Sequence, residues 1–204
     1  MELLDRSKLI DSLHSKDKNS LFVDPLLDED EQVGAISIDF RLGYDFQVSI
    51  LTRKPSVDLV STDQDWRPVS TYFQETRRDI GEKFVLYPHQ VAISTTLEYV
   101  ALPSDTYADI LSRSSYTRLG IHISTMIQPG YKGCIPLELV NHGSTPIELV
   151  VGCRIAQARF YKLTEAQEYL RSGSVRKYHG EVRPTISKAE SDPDLKKLIM
   201  LSRT

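Results

Sequence analysis

Between Lys83 and Leu163 the chain is a succession of short apolar-rich runs cut by turn signals, and this spacing limits the possible folds more than any other feature. The runs are "KFVLYP", "VAISTTLEYVALP", "YADILSR", "GIHIST", "CIPLELVN", "TPIELVV" and "RIAQARFYKL". Tyr87–Pro88, Pro103–Ser104, Gln128–Pro129–Gly130 and Asn141–His142–Gly143–Ser144 fall between them. Short strands recurring every ~8–12 residues predict a sandwich, jelly roll or barrel. Upstream, Ile36, Ile38, Phe40 and Leu42 alternate with Ser37, Asp39 and Arg41, and Phe46, Val48 and Ile50 repeat that period. Both patterns predict half-buried strands.

The flanks differ. Asp5 is placed to cap a helix running to about Ser15, with Leu9, Ile10 and Leu13 as its apolar stripe. Residues 52–82 are polar and weakly patterned, which predicts a long loop or insertion with one strand at most. "TEAQEYLRSG" reads as a short helix stopped by Gly173. The remainder is a polar tail, disordered or ordering on binding. The expected organisation is one domain over 1–204: a β core with its N-terminal helix to 163, then a lid and tail.

Net charge is −3 and the pI about 6.0, so no global basic field points to nucleic acid as the main partner. No segment approaches the ~18 apolar residues of a membrane span. "MELLDRSKLI" is too short and too charged for a signal peptide, so a cytoplasmic location with reduced thiols is expected. Cys134 and Cys153, the two cysteines, form no C-x-x-C pair. His179–Gly180–Glu181 matches half of a zinc deaminase signature, but the P-C-x-x-C half is missing, which argues against zinc. His14, His89, His122 and His142 show no ligand spacing.

Two segments carry candidate chemistry. "SRSSYTRLG", Ser112 to Gly120, packs hydroxyls and two arginines between Ile110–Leu111 and Leu119. Hydroxyls, backbone N–H groups and a guanidinium fork make a phosphate cradle. Alone, the segment also fits a solvated turn. In "CIPLELV", Glu138 shares a strand face with Pro136 and Val140, opposite Leu137 and Leu139. A carboxylate in so apolar a strand is costly unless paired or functional, and a raised pKa there suits acid–base work. A strand face open to water is the competing explanation. In the tail, Lys177, Tyr178, Arg183 and Lys188 fit either a solvated terminus or a lid over an anionic ligand.

Taken in order, these motifs resemble the dCTP deaminase family of the dUTPase-like superfamily. "RSSYTRLG" is similar to its phosphate loop, and "QPGYKGCIPLELVNHG" to its D-P-G-[WF]-x-G…E-x-x-N strand pair. "LLDRSKLIDSL", "GAISIDFRLGYDFQV", "GCRIAQARFYKL" and "KYHGEVRPTISK" are similar to its first helix, first strands, closing strand and lid. The resemblance implies a mainly β, dUTPase-like β-barrel or jelly roll (β-clip) with a short N-terminal helix and a C-terminal lid. It implies a homotrimer with active sites between subunits, and zinc-independent deamination of dCTP to dUTP and ammonia. Magnesium is expected on the triphosphate, and dCTP-, dUTP- or dTTP-type deoxynucleotides as ligands. Carried across, Glu138, Arg118 and Ser114 take catalytic roles. Arg113, Ser114, Ser115 and Arg118 hold phosphates, and Tyr131 stands beside the deoxyribose. Gln128, Pro136, Leu137, Glu138, Lys177, Tyr178 and Glu181 complete the nucleotide site.

This chain departs from the pattern where the base would be read: "IHISTMIQ", Ile121 to Gln128, is a few residues shorter than the family's base-binding hairpin and differs from it over Thr125–Gln128. Gln128 stands where the family has aspartate, and Glu181 where the lid has glutamine. A neutral amide is neither a base nor a carboxylate ligand. Triphosphate binding is therefore the firmer expectation and the base preference the weaker. Diphosphatase or bifunctional activity, and a nucleotide-binding regulator without turnover, are the alternatives.

Overall fold

Alternating side chains fix which face of each strand is buried, and the strands then assemble around those faces. A computed structural model of the chain describes residues 1–53, 56–60, 67–167, 178 and 180–202. In chain order the first half holds β1 (Glu2–Leu3), α1 (Arg6–Leu13), β2 (Phe22–Asp24), α2 (Glu29–Gln32), β3 (Ile38–Arg41), β4 (Asp45–Ser49), β5 (Phe73–Arg77) and β6 (Lys83–Leu86). The second half holds β7 (Val91–Ala101), β8 (Thr106–Ser112), α3 (Ser114–Thr117), β9 (Ile121–His122), β10 (Ser124–Ile127), β11 (Lys132–Asn141), β12 (Ile147–Val150), β13 (Arg154–Lys162) and α4 (Pro193–Ser202).

All pairings are antiparallel. One sheet runs β1-β13-β8-β10 with β3 also on β13, and a second runs β5-β4-β7-β11-β9 with β2 also on β7. A small third sheet pairs β12 with β6. Ile38, Phe40, Ile110 and Phe160 of the first sheet and Phe46, Val100, Leu137 and Leu139 of the second belong to one core, none of them exposed. The protein is thus mainly β and jelly-roll-like, as expected; the closed barrel offered beside the jelly roll is not formed among the described residues.

Asp5 caps α1 by accepting from the Lys8 N–H, and Leu9 is fully buried beneath the helix. The stretch from 52 to 82 supplies one strand, β5, which pairs with β4; residues 54–55 and 61–66 lie outside the described set. Three expectations need correction. Ile36, Ile50 and Leu119 are exposed, because strands β3 and β4 stop short of the first two and Leu119 sits on a turn after α3. Residues 164–167 are not helical, and the rest of the helix expected to end at Gly173 falls outside the described residues. The tail from Gly180 is ordered against the core and ends in α4.

Candidate active site

Strand β11 builds the site. Its odd-numbered residues, Ile135, Leu137 and Leu139, enter the core, so Cys134, Pro136 and Glu138 share the other face. That face forms one wall of a cleft of about 250 Å³. Ile93 and Thr95 of β7 continue the wall, because Glu138 pairs with Ile93 and Pro136 with Thr95. Tyr131, nearly buried, closes one end, its hydroxyl donating to the Cys134 carbonyl at 2.7 Å.

The tail is the roof. The Gly180 N–H donates to the Lys132 carbonyl at 2.9 Å, and the Cys134 N–H to the Glu181 carbonyl at 3.0 Å. The tail thus adds to β11 as a short strand would. Gly133 permits it: with φ at +147°, a Cβ there would stand 2.6 Å from the Glu181 carbonyl oxygen and 2.9 Å from the Tyr131 hydroxyl. Tyr178, Glu181 and Arg183 then line the cleft from above. Lys188 binds the roof together, donating its N–H to the Tyr178 hydroxyl at 3.0 Å and reaching the Glu181 carboxylate at 3.4 Å.

Among the described residues Glu138 is the one carboxylate on the strand wall of this cleft. Its neighbours strip enough water from it to hold its pKa above the usual carboxylate range, although the residue stays open at the cleft mouth. Its own backbone N–H pulls weakly the other way. Among the described residues no side chain bonds or ion-pairs with it. It can therefore take a proton from a water and release it again.

The cleft brings together Glu138, Tyr131, Pro136, Tyr178 and Glu181 of the expected site. Leu137 is not among them: it is fully buried in the core on the opposite face of the strand. Lys177 lies outside the described residues. Gln128 precedes the turn into Tyr131, accepting the Tyr131 N–H with its carbonyl, but does not line the cleft. The Arg-Ser-Ser segment forms the N-cap and start of α3, after β8, also away from the cleft. Arg113 is already engaged, its Nε 3.1 Å from an Asp39 oxygen and one terminal nitrogen donating to the Arg154 carbonyl at 3.1 Å. Ser114, Ser115 and Arg118 are exposed, and no described side chain bonds to them. Sequence reasoning missed Ile93, Thr95, Cys134, Thr185 and Ser187 as lining residues. The alternation of β7 against β11 was the signal that could have found the first three.

A carboxylate on one wall with no partner among the described side chains, an aromatic end and a roof made by the chain's own tail define a small-molecule site that can run proton-transfer chemistry. Residues 4–163 match the family described as dCTP deaminase-like. A protein of Methanobrevibacter smithii named "dCTP deaminase, dUMP-forming" is 34% identical over 89% of this chain and 93% of its own length. One of Haloarcula marismortui named "dCTP deaminase" is 37% identical over the same shares. The crystal structure of 2'-deoxycytidine 5'-triphosphate deaminase from Agrobacterium tumefaciens superposes with a TM-score of 0.57 at 28% identity, covering 78% of this chain and about half, 47%, of that one. This chain belongs to the dCTP deaminase-like family.

Proposed function

We propose that this protein is a hydrolase that converts dCTP and water to dUTP and ammonia. The observation that carries the reading is Glu138: a carboxylate of raised pKa in a roofed cleft, with no side-chain partner among the described residues. Ionised, it takes a proton from water as the oxygen bonds to C4 of cytosine. It then delivers that proton to the amino nitrogen as the C4–N4 bond breaks and ammonia leaves. Tyr131 walls the deoxyribose and excludes a 2'-hydroxyl.

Ser114, Ser115 and Arg118 supply hydroxyls and a charge-delocalised fork suited to phosphate oxygens. They lie away from the Glu138 cleft of their own chain, which supports a site completed between copies, with a homotrimer as the proposed assembly. Among the described residues no three His, Cys, Asp or Glu side chains cluster as a metal site. The metal proposed for the reaction is a magnesium ion held by the triphosphate. Magnesium there would neutralise phosphate charge.

A second reading, release of dUMP, is favoured by the name of the Methanobrevibacter smithii relative. Gln128, an amide that cannot aim water as a carboxylate does, supports dUTP instead. Incubation with dCTP and magnesium, followed by chromatography and an ammonia assay, tests both. Equimolar dUTP and ammonia are expected. Release of dUMP and pyrophosphate would establish the second reading, and tight binding without any product would defeat both. Because the base must be ionised, the rate falls as pH drops through the raised Glu138 pKa, above the range of an ordinary glutamate.

A further inference from the structure

Behind the cleft wall stands a second glutamate that this chemistry does not use. Glu98 of β7 is fully buried. One oxygen accepts from Gln32 Nε2 at 3.0 Å, and the two oxygens lie 3.3 and 3.0 Å from the Arg41 backbone nitrogen. Gln32, also fully buried, donates in addition to the Asp39 carbonyl at 3.1 Å and accepts from the Asp28 N–H at 3.2 Å. One carboxylate thus ties α2, β3 and β7 together.

The place of this knot matters. Cys134 pairs with Tyr99 and Pro136 with Thr95, so three residues of β7, Thr96 to Glu98, stand opposite the single Ile135 of β11. Such a bulge re-aims the strand that carries it. One side chain bridges the broken ladder to β11, and a second ties the bulge to β3. The Thr96 hydroxyl accepts from the Ile135 N–H at 2.9 Å and donates to the Glu98 carbonyl at 2.7 Å, while the Glu98 carboxylate takes the Arg41 N–H. The β3–β4 corner presses on the same point: the Gly43 N–H donates to the Thr95 carbonyl at 2.8 Å, and a Cβ at Gly43 would lie 2.6 Å from that oxygen. Immediately beyond the bulge, β11 resumes pairing with Pro136 and Glu138 facing the cleft.

We propose that Glu98 is a positioning residue for the deamination, setting from behind the wall the register in which β11 presents Glu138 to the cleft. This rests on the role given to Glu138 above. The charged or titratable groups facing Glu98 are the Arg41 guanidinium, 4.0 Å away across β3, and the neutral Cys134 thiol of β11; the Asp39 carboxylate is turned toward Arg113 and Arg154. Burial pushes Glu98 up to about 7, against the pull of its donors and Arg41. Burial and the nearby Glu98 charge push the Cys134 thiol up to about 11. Cys134 therefore reports on Glu98 from the cleft side.

Two variants separate charge from reach. Glu98→Gln keeps the length but turns an N–H₂ toward donors, and Glu98→Asp keeps the charge but falls short of Arg41. For both, kcat is expected to fall roughly ten- to a hundredfold, with KM within about twofold of wild type. Alkylation of Cys134 at pH 9, followed by peptide mass spectrometry, is expected to run at least about threefold faster in Glu98→Gln and to change less in Glu98→Asp. The pH profile of kcat should lose an ionisation near 7 in Glu98→Gln. A lower melting temperature with unchanged kcat, pH profile and Cys134 reactivity would overturn the proposal and leave Glu98 a purely structural residue. If Glu98→Gln does not fold, Gln32→Met removes one donor to the carboxylate and should show the same kcat loss; unchanged kcat there overturns the proposal equally. The alkylation measures no deamination, so its result stands even if Glu138 proves not to be the base.

Discussion

Two glutamates flank one wall. Glu98 lies behind the β7–β11 pair, fully buried and held by two donors on other elements; Glu138 lies in front, open to the cleft and unbonded by any described side chain. Desolvation is the largest cause of a raised pKa in both. Partners make the difference. A buried carboxylate whose lone pairs are filled joins elements, whereas one left without partners is free to exchange protons. The perturbed pKa alone does not distinguish the two uses, and the hydrogen-bond inventory does.

The comparison can be broken in three places, beginning with the largest effect. Glu98 titrates near 7 in the folded protein against 4.5 unfolded, so between those values the folded state holds the proton more tightly. Stability is therefore greatest below about 4.5 and declines as pH rises to 7, by about 3 kcal/mol in all from this group. Urea melts across that window should show the decline in wild type and lose it in Glu98→Gln. An unchanged slope in the variant would mean that the buried side of the wall does not titrate as described.

On the open side, Gly133→Ala drives a methyl into the Glu181 carbonyl and the Tyr131 hydroxyl. Overlap of this kind costs about 1–3 kcal/mol, here felt by the roof rather than the core. KM for dCTP should rise about tenfold, with faster proteolysis within the tail and an unchanged melting temperature for the β core. A large fall in core stability would show the roof to be part of the structural side.

The smallest effect belongs to Arg183, whose guanidinium lies 3.8 Å from Asp45 but is 71% exposed. A pair held at this distance by so exposed a cation contributes about 0–1 kcal/mol. Arg183→Ala should change KM less than about fivefold, and the difference should vanish in high salt. A larger or salt-resistant effect would point to direct contact between Arg183 and the nucleotide.

The strand runs from Lys83 onward were legible because their period of two and their turn residues are local properties. Glu138 was legible for the same reason, as an acid on the face opposite Leu137 and Leu139. The same argument reaches Glu98 in "VAISTTLEYV", yet there the alternation misleads. Three residues of β7 bulge against Ile135, and the donors to Glu98 come from residues 57 and 66 positions away. No local pattern announces such partners. The roof was legible only as a motif: "KYHGE" marked a lid, but its docking on Gly133 depends on a long-range close approach. The family motif puts Leu137 in the nucleotide site with its neighbours, whereas the strand's alternation places its side chain in the core.

The division of labour across the wall is tested most directly by the rate of ammonia release from dCTP by Glu138→Gln, measured beside its melting temperature. The amide keeps the shape and loses the base. The rate should fall by at least about a hundredfold, while the melting temperature stays within about 4 °C of wild type. A variant that releases ammonia at the full rate would contradict the role given to Glu138, whatever its stability.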